Sequence, residues 1–238
     1  MPENHIARAF DRDLETIQAL IMKMGGLVEA AILDSAKALK KRDESLADRV
    51  RDNDRLIDNL EEEVNVEAAR MIALRQPAAM DLRTILTVMK IAGNLERIGD
   101  YAKNLAKRTT VLVQMQPIEG ASGAIRRMSK EVEQMLKDAL DAYMRRDVVL
   151  AEDVRQRDHD VDQMYNALFR EFLTFMMEDP RNITACMHLH FIAKNIERMG
   201  DHVTNIAEQV IYLVTGEMPS DTRPKATELI AATDDGEI

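Results

Sequence analysis

The sequence predicts an all-α fold built as two tandem three-helix-bundle repeats with pseudo-two-fold symmetry. Three observations carry this expectation. The 238 residues hold only 9 Gly, 6 Pro, no Trp and 4% aromatics, against 16 Met. A sandwich or a doubly wound sheet would need more Gly, more aromatics and more β-branched runs. Apolar residues recur at spacings of three and four along most of the chain. The chain also repeats itself. "KKRDESLADRVRDNDRLID" at 40–58 lies over "MRRDVVLAEDVRQRDHDVD" at 144–162, and "IAGNLERIGDYAKNLA" at 91–106 lies over "IAKNIERMGDHVTNIA" at 192–207. A duplicated unit of about 100 residues with short internal connections gives two antiparallel helical units.

The elements follow in order. A first helix is expected over 7–41, where Phe10, Leu14, Ile17, Ile21, Met24, Val28 and Ile32 form one stripe. Gly25 and Gly26 inside it are costly for a helix, and read as letting another backbone come close rather than as a stop. Arg42 and Asp43 mark a turn, a second helix runs from about 44 to 75, and Pro77 breaks it. A third runs from about 79 to 114, with Pro117, Gly120 and Gly123 beyond it. The plan then recurs: a fourth helix over 121–145, a turn at Arg146 and Asp147, a fifth over 148–178, a break at Asp179 and Pro180, and a sixth over 182–215. Residues 1–116 therefore make the first repeat and 117–215 the second. Residues 216–238, with two Pro, two Gly and terminal acids, read as a mobile polar tail.

Charge and cysteine usage exclude several classes. With 42 acids against 32 bases the net charge is −10. Such a chain is a poor candidate for nucleic-acid binding, which runs on excess Lys and Arg. The lone Cys186 cannot form an intrachain disulfide and reads as a buried, inert thiol. The N-terminal "MPENHIARAFDRDLE" lacks the apolar core of a signal peptide. No run approaches about 18 uninterrupted apolar residues. A cytoplasmic chain without direct membrane insertion is expected. Phosphate-loop, dinucleotide-binding and nucleophile-elbow motifs are absent.

The residues that invite chemistry are acids in line with apolar stripes. Positions four apart on a helix share a face. Glu96, Asp100 and Asn104 form one column, in line with Leu82, Leu86 and Met89, and Glu197, Asp201 and Asn205 form its repeat. A second stripe, Ile91, Leu95, Ile98, Ala102 and Leu105, makes the third helix central, so its carboxylates are expected to point into a packed groove. Asp54 and Asp58 on the second helix, and Asp158 and Asp162 on the fifth, supply the facing half. Crowded anions need relief. They can be solvated, pair with Arg55, Arg97 or Arg198, or bind cations. Oxygen-only donor sets suit hard metals, and carboxylate-rich bundles also hold iron.

None of the histidines, His5, His159, His188, His190 and His202, has Glu three residues before it, which argues against a redox di-iron centre. His190 sits two turns before Glu197 and is a possible auxiliary ligand with Asn104 and Asn205. His202 should point away from the column, and His159 should lie near the surface. The runs Glu61, Glu62, Glu63 and Asp234, Asp235 read as solvated surface. In "LRQPAAMDLR" at 74–83, Asp81 reads as a cap, while Arg75, Asp81 and Arg83 are candidate partner contacts.

Over roughly 5–213 the chain resembles the PhoU family. The blocks that carry this are "HIARAFDRDLETIQALIMKMGGLVE" at 5–29, "ALRQPAAMDLRTILTVMKIAGNLERIGDYAKNLAKR" at 73–108 and "AKNIERMGDHVTNIAEQVIYLVTGE" at 193–217. The resemblance implies two three-helix repeats and a cytoplasmic regulator of phosphate uptake, not an enzyme. It implies action with the ATPase subunit of a Pst phosphate transporter and with a PhoR-type sensor histidine kinase, keeping uptake and phosphate-regulon signalling low when phosphate is ample. It also implies divalent or iron cations (Fe, Mn, Zn, Mg or Ca) at E/D-x-x-x-D motifs, here Glu96 with Asp100, Glu197 with Asp201, Asp54 with Asp58, and Asp158 with Asp162. The second copy, "EDPRNITACMHLH" at 178–190, departs by lacking the R-Q-P-x-x-x-D-L-R block. A homodimer is expected, two-fold pairs being the commonest assembly. The competing readings are a carboxylate-bridged metalloenzyme and a purely structural helical module.

Overall fold

The computed structural model describes residues 3–220. Six α-helices follow one another: α1 (Glu3–Lys41), α2 (Glu44–Arg75), α3 (Met80–Leu112), α4 (Ala121–Arg145), α5 (Val148–Glu178) and α6 (Ile183–Thr215), with no strand among the described residues. A 3-10 turn, Pro180–Asn182, precedes α6. The tail expected over 216–238 lies outside the described residues from 221 onward, as do Asp234 and Asp235, and the side chain of His5 is likewise not described.

Helices α1, α2 and α3 pack mutually, as do α4, α5 and α6, and the two triads meet through α3 on α6 and α1 on α4. The expected all-α duplicated architecture is therefore the one observed. The reason lies in the stripes. Ile17, Ile21, Met24, Val28 and Ile32 of α1 are all at most 1% exposed, and Ile91, Leu95, Ile98, Ala102 and Leu105 of α3 are fully buried. They join residues of α4, α5 and α6 in one continuous core, so the repeats share an interior. By length and composition alone, Phe10–Lys41 is long and apolar enough to cross a membrane. Its apolar stripe instead lines this shared core.

The two Arg-Asp turns are built identically. Arg42 and Arg146 adopt left-handed φ values of 55° and 54°. Asp43 and Asp147 then cap α2 and α5 by accepting hydrogen bonds from Leu46 N, and from Val149 N and Leu150 N. Arg42 also donates to the carbonyls of Val113 and Met115 at 2.6 and 2.7 Å, tying the α1–α2 turn to the end of α3. The proline breaks differ. Around Pro77, Gln76 and Ala79 both have φ of 48°, whereas at Pro180 the carboxylate of Asp179 accepts from Arg181 N. Asp81 is not the cap of α3. Ala79 holds that position without a side-chain bond, and Asp81 is an exposed acid in the first turn, where it favours the positive end of the helix dipole.

The glycine pair of α1 needs a correction. The helix runs through it, but no backbone approaches. A Cβ on Gly25 would collide with the Leu140 side chain of α4, whereas one on Gly26 would meet nothing within 4 Å. Gly26→Ala is therefore expected to raise stability in urea unfolding by about 0.5–1 kcal/mol, and Gly25→Ala to show no such gain. Equal gains at both positions would contradict the contact with α4.

Candidate functional site

The acids predicted to face one another do gather along the α2–α3 and α5–α6 seams, but unevenly. Asp54 is 3% exposed and Asp158 is 9% exposed. Asp58 is solvent-exposed, Glu96 and Asp100 are half-buried, Asp162 and Glu197 are half-buried, and Asp201 is exposed. Asn104 points to solvent and Asn205 is half-buried. The groove of α3 is also more open than its stripe suggested, since Leu86, in line with the column, is 44% exposed. The buried stripe of α3 is the other one, which faces the shared core.

Glycine explains why the same aspartate is buried in each repeat. A Cβ on Gly99 would lie 2.9 Å from Ile57 Cδ1 and 3.6 Å from Asp54 Oδ1. A Cβ on Gly200 would lie 3.3 Å from Asp158 Oδ1 and 3.4 Å from Val161 Cγ1. The missing side chains let α2 close on α3, and α5 on α6, with the carboxylate resting on the bare helix. This role for the glycine of the R-I/M-G-D block was not drawn from the sequence.

At Asp54, Asp100 and Glu197 the charge relief comes from lysines, and at Glu96 from Arg97. Lys103 Nζ donates to Asp54 Oδ2 at 2.5 Å and to Asp100 Oδ1 at 3.3 Å. Lys194 Nζ donates to Glu197 Oε1 at 2.6 Å, while Glu197 Oε2 is buried without a hydrogen-bond partner. Arg97 pairs with Glu96 from a largely exposed position, its Nε 3.6 Å from Oε2. The sequence signal was present: each lysine lies three residues from a column acid, at i+3 from Asp100 and at i−3 from Glu197.

Burial raises Asp54 above the usual carboxylate range, with Lys103 working in the opposite direction. Burial raises Glu96 too, reinforced by the charges of Asp100, Asp58 and Glu61 and opposed by Arg97. Burial raises Glu197, opposed by Lys194 and assisted by Asp201 and Asp162. The acids thus form electrostatically coupled rows, yet among the described residues no three His, Cys, Asp or Glu side chains come together as a set able to hold a metal ion. As folded, the rows do not fit a divalent cation. The ammonium of Lys103 stands between two of the oxygens that would bind one.

His190 packs in an aromatic cluster, with ring centroids 5.1 Å from Phe169, 5.9 Å from Tyr165 and 5.8 Å from Phe191. Burial, aided by Lys194, lowers its pKa. His202 turns away from its column as expected, its Nδ1 lying 2.8 Å from Asn94 Oδ1 on α3. His159 is exposed beside Gln163. Cys186 is fully buried. Glu62 and Glu63 are exposed, whereas Glu61 accepts a bond from Asn65 at 2.6 Å.

Of the candidate partner contacts, only Asp81 is fully displayed. Arg75 is engaged in holding Asp13 through Nε and Nη2 at 3.2 and 3.0 Å. Arg83 lies over the Tyr212 ring at 5.5 Å and against Gly216, where a Cβ would stand 2.8 Å from its Nη1. A feature not drawn from the sequence is an apolar ladder on the second repeat. Phe169, Leu173 and Met177 of α5 and Ile183, Met187 and Phe191 of α6, at successive i+4 steps, are 39–78% exposed. Their counterparts in the first repeat are Asn65, Ala69, Ala73, Leu82, Leu86 and Lys90.

The raised Glu96 has a pH consequence. The folded state holds its proton to higher pH than the unfolded chain, so this group's contribution to stability is greatest below its ordinary value of 4.5 and falls as pH rises through the higher folded value. Glu96→Gln is expected to raise Tm at neutral pH and to flatten the decline in Tm across that window. Parallel Tm profiles for variant and parent would contradict the crowding of Glu96 by its neighbours.

Comparison with known proteins agrees with the duplicated geometry. A family model for the PhoU domain matches twice, at residues 21–109 and 125–210. The chain is 46% identical over 221 residues to a phosphate-specific transport system accessory protein PhoU homolog of Caulobacter vibrioides, covering 93% of this chain and 96% of the relative. It is 44% identical over 232 residues to the homolog from Rhizobium meliloti, covering 94% and 95%. Its fold is similar to the crystal structure of PhoU from Pseudomonas aeruginosa, with a TM-score of 0.84 and 41% identity over 87% of this chain and 100% of that one. It is also similar to the phosphate transport system regulatory protein PhoU from Streptococcus pneumoniae, with a TM-score of 0.81 and 29% identity over 89% of this chain and 99% of that one.

Proposed function

The chain belongs to the PhoU family, and on that premise we propose that it is a cytoplasmic regulator of phosphate uptake and phosphate-regulon signalling, an adaptor between the ATPase subunit of a Pst transporter and a PhoR-type histidine kinase. The observation that carries this reading is the extent of the match. The similarity to accessory proteins of phosphate-specific transport spans both repeats and nearly the full length of each relative. A regulator needs surface more than it needs a cleft, and helices of about 30 residues, each about 45 Å long, supply it.

The inequivalence of the repeats suits an adaptor that meets two different proteins. The first repeat alone carries the R-Q-P-x-x-x-D-L-R block, and the second places Phe169 and Phe191 where the first has Asn65 and Lys90. Catalysis forms no part of this proposal, and no step is routed through a bound metal. We expect the working form to be a homodimer.

The test is genetic and biochemical together. Deletion of the gene should raise phosphate-regulon reporter output and phosphate uptake in ample phosphate. The tagged full-length protein should recover both the transporter ATPase and the kinase from detergent-solubilised membranes. Recovery of neither, with reporter and uptake unchanged on deletion, would overturn the proposal.

A further inference from the structure

The outer groove between α5 and α6 changes character along its length. Three contacts fix how these antiparallel helices stand against each other. The Phe169 and His190 rings lie 5.1 Å apart, Lys194 Nζ stands 5.2 Å from the centre of the Tyr165 ring, and Gly200 passes against Asp158. In that register Phe169, Leu173 and Met177 of α5 stand level with Phe191, Met187 and Ile183 of α6. They form three apolar rungs rising towards the Asp179–Pro180 turn, with Met177 78% exposed. Below the rungs the groove turns anionic. Asp162 stands level with Glu197, and the charges of Asp162 and Asp201 both raise the Glu197 carboxyl. Lys194 donates to Glu197, whereas the exposed Asp201 makes no ion pair among the described residues.

Large apolar side chains left contiguous in water mark an interaction surface, and the first repeat supplies the comparison. At the matching positions its α2–α3 groove sets Asn65, Ala69 and Ala73 against Lys90, Leu86 and Leu82. There α3 keeps two leucines, but α2 offers no large apolar side chain level with them. The inner side of the α5–α6 pair already receives a helix, α4. Two antiparallel helices form a groove that a third helix fills by packing ridges into grooves. A helix so bound is read through apolar anchors spaced three and four apart. From Asp162 to Met177 the groove runs about 22 Å, the length of about 15 helical residues. Its two ends call for unlike side chains, apolar ones against the rungs and Lys or Arg against the acids.

We propose that the outer α5–α6 groove is the docking site for an amphipathic helix of a partner protein. Its large apolar side chains seat on the Phe169, Leu173 and Met177 rungs, and a Lys or Arg about two turns beyond the last anchor reaches Asp162 and Asp201. A helix basic throughout lacks the anchors, and one with acids in place of the basic residues is repelled. Recognition of such a helix does not depend on which protein carries it, so it stands or falls separately from the adaptor reading.

The experiment uses the full-length protein and a fluorescent, Ala-rich helical peptide of about 15 residues. The peptide carries Leu spaced three and four apart in one half and a pair of Lys on the same face in the other. By fluorescence anisotropy the parent should bind it, and Leu173→Asp should weaken binding at least about ten-fold. Ala69→Asp, the same change at the matching position of the first repeat, should leave binding unchanged. Leu173 is 40% exposed and Ala69 is exposed, so both variants should melt as the parent does. A peptide with Glu in place of both Lys should bind the parent more weakly, and the Asp162→Asn, Asp201→Asn double variant should narrow that difference.

Equal weakening by Leu173→Asp and Ala69→Asp would overturn the proposal, as would equal affinity of the parent for the Lys and Glu peptides. So would a parent that binds neither peptide at concentrations up to about 1 mM. A second copy of this chain is the other occupant to test. Sedimentation of the parent and of Leu173→Asp at matched concentrations should give the same mass. A dimer lost in Leu173→Asp alone would assign the rungs to a second copy and equally overturn the proposal.

Discussion

A carboxylate buried against a helix that has no side chain to spare is the contact on which each repeat depends. Asp54 lies beside Ile57 over Gly99 and Asp158 beside Val161 over Gly200, and the bare glycines let the second helix of each triad come this close to the third. An anion taken from water at such a position is unfavourable unless it is hydrogen-bonded and paired. The rest of the groove follows from that constraint. Lys103 is drawn between Asp54 and Asp100, the remaining acids crowd along the seam, and burial together with their mutual repulsion raises Glu96. Loss of the lysine leaves the buried Asp54 carboxylate without its ammonium, which is costly even though Lys103 itself is partly exposed. The pair acts as a register pin between two helices whose apolar stripes would tolerate sliding.

Duplication kept some devices unchanged and altered others. The Arg-Asp turns are the same in both halves, because a left-handed residue followed by an N-cap is a local solution that any surrounding tolerates. The proline breaks, the lysines and the exposed apolar side chains of the outer faces differ. The triads are not separable. α1 packs on α4 and α3 on α6 in a single core, and His202 of α6 bonds across to Asn94 of α3. Divergence of the outer faces on a shared interior is how one chain can present two unlike surfaces at fixed spacing.

The helices and the duplication were legible in the sequence because both rest on period alone. Stripe residues such as Ile21, Val28, Leu95 and Ile98 land in the core wherever the neighbours sit. The site was legible only in part. Periodicity places Asp54 and Asp58 on one face, but which of them is buried depends on where the neighbouring helix comes closest, and that point is set by Gly99. The column on α3 was expected in a packed groove, and the exposed Leu86 shows that side to be open. Pairing with arginine was one of three open reliefs, alongside solvation and cation binding, and Arg97 does pair with Glu96. Neighbours in sequence point 100° apart on a helix, and the lysines three residues away have the better geometry. Arg75 and Arg83 were candidates for partners, and their internal uses with Asp13 and Tyr212 depend on α1 and α6 packing beside them. Spacing within one helix carries no such information.

The most direct measurement of the buried contact is a double-mutant cycle on Asp54→Asn and Lys103→Met, with unfolding free energies for the parent, both single variants and the double variant. Screening of the partly exposed Lys103 places the expected coupling toward the lower part of the range for contacting residues, about 1 kcal/mol, with each single variant less stable than the parent and the double variant recovering part of the loss. Additive losses, with no recovery in the double variant, would contradict the claim that this ion pair satisfies the buried carboxylate and holds α2 in register on α3.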